Sequence, residues 1–201
     1  MKNVFTFCCA LCLLALTACG SAPKISEEAS DLEVNNHEGV TMTVVDGSAY
    51  PGQVKVTILN ATDTEIDSGN SADFFLQVEQ DGQWYDLEEN GDFSNTAEAY
   101  IFEKDMPREM AFQWAGRYGS LDTGHYRAVK WFFEFHENET EQDKRVVDFA
   151  LAAEFDLFAT GGSDFHGANK PDIELGRGYR ALVVPSKCLS DLKAHMLEEH
   201  V

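Results

Sequence analysis

The chain has 201 residues, with 15 Lys and Arg against 35 Asp and Glu and a formal net charge of −20 at pH 7. So acidic a surface repels phosphate backbones and anionic headgroups, which excludes nucleic acid as an expected partner and charge as a means of membrane attachment. The length suffices for one domain with a sizeable core and leaves little for a second.

Met1 to Ala18 carries one charge, Lys2, and then an almost unbroken apolar run from Val4 to Leu16. That run falls short of the ~20 residues a spanning helix needs, so residues 1–18 read as a signal peptide. The segment ends Leu16-Thr17-Ala18-Cys19-Gly20 and resembles the lipobox of bacterial lipoproteins. The resemblance implies cleavage before Cys19, acylation of Cys19 with palmitate-like chains, and attachment to the extracytoplasmic face of a membrane. Cys8, Cys9 and Cys12 would leave with the peptide, and Cys188 would be the one remaining thiol. No intramolecular disulfide is then available, and the core alone must hold the domain. Residues 19–38, polar and acidic (Glu27, Glu28, Asp31, Glu33, Glu38), read as a flexible tether.

From Val40 onward the period is two, the signature of half-buried strands. Val40, Met42 and Val44 alternate with threonines, and Val54, Val56 and Ile58 follow the Tyr50-Pro51-Gly52 turn. After a polar loop come Phe74, Leu76 and Val78, then the hairpin signal Gln80-Asp81-Gly82-Gln83 leading into Trp84 to Leu87. Tyr100 to Phe102, Met110 to Trp114, the stretch ending at Phe135, and Val147 to Phe155 complete the set. In Val129-Lys130-Trp131-Phe132-Phe133-Glu134-Phe135 the alternation assigns Val129, Trp131, Phe133 and Phe135 to the apolar face and Lys130 and Glu134 to the other. The spacing Asp122-x-Gly124-x-Tyr126 predicts a tyrosine corner at the start of this strand. The fold class expected is mainly β: an immunoglobulin-like β-sandwich of 7–8 strands over residues 39–156, followed by a short strand-plus-helix tail over 157–201.

Residues Asn60, Asp63, Gly69, Phe75, Asp81, Gly82, Trp84, Tyr85, Gly124, Tyr126, Arg127, Lys130, Ala153, Glu154 and Phe155 follow a pattern that resembles a bacterial immunoglobulin-like domain common in exported lipoproteins. The resemblance implies an accessory module without catalytic residues. Its expected role is non-enzymatic, a binding or spacer module whose partners are the membrane, through the lipid on Cys19, and protein or cell-surface ligands.

The tail contains Thr160-Gly161-Gly162-Ser163-Asp164-Phe165-His166-Gly167. This resembles the end of the PHP (polymerase and histidinol phosphatase) metal-dependent phosphoesterases, and a strand over Ala181–Val184 and a helix over Pro185–Glu199 would match that family's ending. The resemblance makes Asp164 and His166 metal ligands, with Mn or Zn as the cofactor, and divalent-metal phosphoester hydrolysis the alternative activity. The family's other ligands and most of its barrel are missing. Two ligands do not complete a catalytic site, and one strand cannot close a barrel, so the enzyme reading ranks second. Leu151 to Phe158 serves as the last sandwich strand yet also matches the entry to the barrel ending, which suggests two sequences joined where they are alike.

Other constellations read as scaffold. Asp63-Thr-Glu65-Ile-Asp67-Ser-Gly69 imitates a calcium loop, but its Gly falls one place late and Phe74 stands where the closing Glu belongs. It reads as a strand-connecting loop. Of Trp84, Trp114 and Trp131, the two within alternating strands are expected in the core. His37, His125, His136, His195 and His200 show no ligand spacing, and Cys188 reads as a spectator thiol.

Overall fold

The structure, a computed structural model, describes residues 23–91, 93, 98–135, 146–158 and 183–198. Their elements are β1 (Ile25–Ala29), β2 (Val40–Val44), β3 (Gln53–Asn60), β4 (Ile66–Gly69), β5 (Phe75–Gln80), β6 (Gln83–Leu87), β7 (Ala99–Phe102), β8 (Arg108–Gln113), β9 (Gly124–Phe135), β10 (Val146–Leu157) and α1 (Ser186–Glu198). The strands form two antiparallel sheets, as the alternation predicted. The small sheet runs β2-β3-β8. The large sheet is built on β9: β10 pairs with its whole length on one side, while β5 takes its first half and β4 its second half on the other. β6 and β1 extend the sheet from β5, and β7 extends it from β4.

Among these strands, all but β1 and β4 are legible in the sequence as alternation. β4 lies in the stretch expected to be a loop, and its Ile66 and Ser68 are buried. β1, Ile-Ser-Glu-Glu-Ala, lies inside the expected tether and is held by pairing with β6 rather than by burying its own side chains. The hairpin between β5 and β6 is the predicted one. Asp81 and Gly82 both have positive φ (52° and 78°), the tight-turn geometry that suits the right-handed twist of the flanking strands.

The core lies between the sheets. Val40, Met42, Val54, Val56, Ile58, Met110 and Phe112 from the small sheet meet Ile66, Leu76, Val78, Phe102, Phe149, Leu151, Ala153 and Phe155 from the large one. The face that β9 gives to this core is the opposite of the one the alternation assigned. Tyr126, Ala128 and Phe132 point inward, and so does Lys130, which is fully buried. Val129 points outward into a small second cluster with Ala150 and Ala152, and Trp131 is 39% exposed. Bulk favoured the odd residues. The register that puts the rings of Tyr126 and Phe132 over Phe155, Phe149 and Phe102 decided for the even ones.

The tyrosine corner forms as expected. Tyr126 Oη donates to the carbonyl of Asp122 at 3.1 Å. A Cβ on Gly124 would sit 3.0 Å from the Tyr126 ring, so the spacing needs glycine for close approach of the ring to the backbone. Tyr126→Phe removes this bond and leaves the packing, and we expect it to cost about 1 kcal/mol in urea unfolding. An unchanged midpoint would show that the corner bond contributes nothing.

α1 occupies the expected helical stretch, and Ser190 Oγ donates to the Lys187 carbonyl at 2.8 Å. Of the strand expected at Ala181–Val184, only Val183 and Val184 are described, and Val183 forms a single bridge.

Candidate functional site

Cys19, expected to carry the lipid, and Asp164 and His166, expected as metal ligands, lie outside the described residues. Within the described part, ionisable and aromatic side chains converge in four places.

The first is the outer face of the large sheet. Strand register sets Asp86, Gln77, Arg127 and Glu154 in one row across β6, β5, β9 and β10. Gln77 Nε2 donates to Asp86 Oδ1 at 2.7 Å, and Arg127 Nε donates to Gln77 Oε1 at 2.6 Å. The Arg127 guanidinium lies 4.3 Å from the centre of the Trp84 ring, and both Gln77 and Arg127 are buried. In the next row His125 Nδ1 meets Asp156 at 2.7 Å and its Nε2 meets Glu154 at 3.4 Å. Burial pulls the His125 pKa down, but hydrogen bonds and attraction to Asp156 and Glu154 outweigh it and raise it above 6.5. The cationic ring therefore stabilises the fold fully below its ordinary pKa, and the contribution fades as pH rises past the raised value. Trp84 acts as the roof over a buried arginine.

The second is the interior lysine. Lys130 Nζ donates to the carbonyls of Asn70 at 2.8 Å and Asp73 at 2.7 Å. Both belong to the turn between β4 and β5, where a Cβ on Gly69 would collide with the Asp73 side chain. Burial pushes the lysine pKa down to about 8, against a smaller opposing effect of Asp73. Alternation alone puts Lys130 on the solvent face, and the signal that corrects it is its parity with Tyr126.

The third is a chain of hydrogen bonds at one end of the sandwich. His37 Nε2 meets Glu134 Oε2 at 2.8 Å, and Thr64 Oγ1 donates to Glu134 Oε1 at 2.7 Å. The series ends at the fully buried Asn60, which bonds the carbonyls of Thr64 and Phe102 through Nδ2 and accepts from Thr62 through Oδ1. The order is Thr–Glu–His, so the imidazole is not placed to take the threonine proton as a nucleophile's base would. The chain ties a loop to the core.

The fourth is an open groove of about 620 Å³ between β7 and β8, lined by Tyr100, Arg108, Met110, Gln113 and Ser71. Arg108 lies over the Tyr100 ring at 4.8 Å.

Asp63, from the calcium-like stretch, pairs with Lys104 on the surface. Asp67 stands apart from it on β4, its carboxyl pKa raised by burial and by Glu65. Among the described residues no three His, Cys, Asp or Glu side chains converge as a metal ion would require. Among the same residues no helix is long and apolar enough to cross a membrane. Trp114 is the core tryptophan, fully buried with Nε1 donating to the Pro51 carbonyl at 2.9 Å, whereas Trp131 is not in the core.

No curated protein and no solved structure matches the chain. A family model described as a bacterial Ig-like domain matches residues 36–154, a span that takes in both packed sheets from just before β2 almost to the end of β10. The chain belongs to the bacterial Ig-like domain family.

Proposed function

We propose that the chain is a lipid-anchored extracytoplasmic protein whose Ig-like sandwich serves as a non-enzymatic binding or spacer module. The observation that carries the non-enzymatic reading is the use made of the buried polar groups. Lys130, Asn60, Gln77 and Arg127 are bonded to backbone carbonyls or to side chains of neighbouring strands, an arrangement that stiffens the sandwich and presents no group to a substrate. The anchor reading rests on Leu16-Thr17-Ala18-Cys19-Gly20. Two acyl chains would hold the protein at a membrane where its charge would not.

The test is expression of the full chain and of Cys19→Ser in a bacterial host. The parent is expected in the membrane fraction, with a diacylated N-terminal Cys19 peptide by mass spectrometry, and Cys19→Ser is expected as uncleaved or soluble protein. An unacylated parent sinks the anchor. The Asp164-x-His166 motif favours a second reading, a divalent-metal phosphoesterase completed by residues from elsewhere. Phosphatase activity with Mn or Zn in the purified parent, lost in Asp164→Ala, would put that reading first.

A further inference from the structure

Between a lipid on Cys19 and a sandwich beginning at residue 39, twenty extended residues would reach about 70 Å. The structure folds most of that stretch into the domain. Glu88 N–H donates to the Lys24 carbonyl at 2.8 Å, and β1 pairs with β6 from Ile25↔Leu87 to Ala29↔Tyr85. Asp86 N–H donates to Ser26 Oγ at 3.1 Å, and Ser30 N–H to the Trp84 carbonyl at 2.7 Å. Leu32 and Val34 then pack across the outer face against Val129, Ala150 and Ala152.

At the far side Asn35 meets the edge of β10 that faces away from β9. Its N–H donates to the Ala150 carbonyl at 2.9 Å, its Nδ2 donates to the Ala152 carbonyl at 3.0 Å, and its Oδ1 accepts the Ala152 N–H at 2.9 Å. The side-chain amide thus pairs with β10 as a neighbouring strand's peptide would, in a left-handed conformation (φ 59°) that asparagine tolerates. His37 closes the path by stacking on Phe149 at 3.9 Å and meeting Glu134. Residues 24–37 are a strap from one edge of the large sheet to the other.

We infer that this strap holds the sandwich close against a lipid surface rather than lifting it away. The inference rests on the proposed anchor at Cys19. With Lys24 already bonded into the sheet, only Gly20, Ser21, Ala22 and Pro23 separate it from Cys19, a reach of about 18 Å at full extension. The surface partner is the bilayer, approached along the β1 edge. The net charge of −20 keeps the domain from adhering to anionic headgroups at separations up to about 8 Å, the Debye length at physiological salt.

The experiment uses the lipidated mature chain in phosphatidylcholine vesicles, with Cys188→Ser removing the remaining thiol and Glu88→Cys, on the sandwich beside Lys24, carrying a fluorescent donor at an exposed position. With an acceptor in the headgroups, energy transfer is expected to place the donor within about 20 Å of the surface. Hydrogen exchange is expected to protect the amides of Ser30 and Asn35 and that of Glu88, which donates to the Lys24 carbonyl. Weak transfer from a chain shown by mass spectrometry to carry its lipid overturns the proximity and leaves the anchor standing. Fast exchange at these amides overturns the strap. An unlipidated Cys19 overturns the anchor and the proximity together.

Discussion

Phe132→Ala is expected to lower the unfolding free energy by about 3–5 kcal/mol, and Trp131→Ala, one residue away and with the larger ring, by about 1 kcal/mol. Phe132 is fully buried, with its ring 5.5 Å from that of Phe102 and 5.6 Å from that of Phe149. Its removal leaves a cavity that two sheets cannot close. Trp131 lies on the outer face, 39% exposed, above Ala150 on the neighbouring strand. Its loss is felt mainly as reduced strand preference and lost surface contact. Urea denaturation of the two variants against the parent decides the matter. Equal costs, or the larger cost at Trp131, would mean that the register of β9 is inverted and that its core face is the one read from bulk alone.

Lys130→Met is expected to change how stability depends on pH. In the folded protein burial lowers the lysine pKa from 10.5 to about 8. Below pH 8 both folded and unfolded chains hold the proton, and the full cost of the buried charge is present. Between pH 8 and 10.5 the unfolded chain still holds a proton that the folded chain has released, so the parent gains stability as pH rises. The gain over that window is about 3 kcal/mol, since every pH unit between the two values contributes about 1.4 kcal/mol. Met cannot titrate and should remove the rise. It also leaves the carbonyls of Asn70 and Asp73 without their Nζ donor, which lowers stability at every pH without adding slope. Above about pH 10 the buried Tyr118, whose pKa burial pushes up to about 12, acts in the other direction, because the folded chain then holds the extra proton. Tyr118 is common to both proteins and cancels in the difference. Parallel curves for parent and variant from pH 7 to 10 would show that Lys130 is not held as a buried cation.

These two variants sit where local sequence and tertiary structure part. Alternation of apolar and polar residues is a property of single strands. It located most of them, together with the Asp81-Gly82 hairpin and the Tyr126 corner, because the pleat and the turn are local. The motif residues between Asn60 and Phe155 carried the resemblance that the family match to residues 36–154 bears out, whereas alternation read only the strands. It did not locate β1 or β4, whose few apolar residues become strands only when β6, β7 and β9 supply partners. Nor did it choose which face of β9 turns inward. Both faces of a central strand bear apolar residues, and here the outer one is covered by Leu32 and Val34 from a segment with the composition of a tether. The charge of Lys130 points to solvent, since the two carbonyls that accept its protons lie some sixty residues away in the chain. The sequence by itself determined the sandwich, its turns and the motif at Cys19. Only the tertiary structure decided the register of β9, the burial of Lys130 and the folding of the strap, because each depends on groups distant in sequence that meet only in the assembled fold.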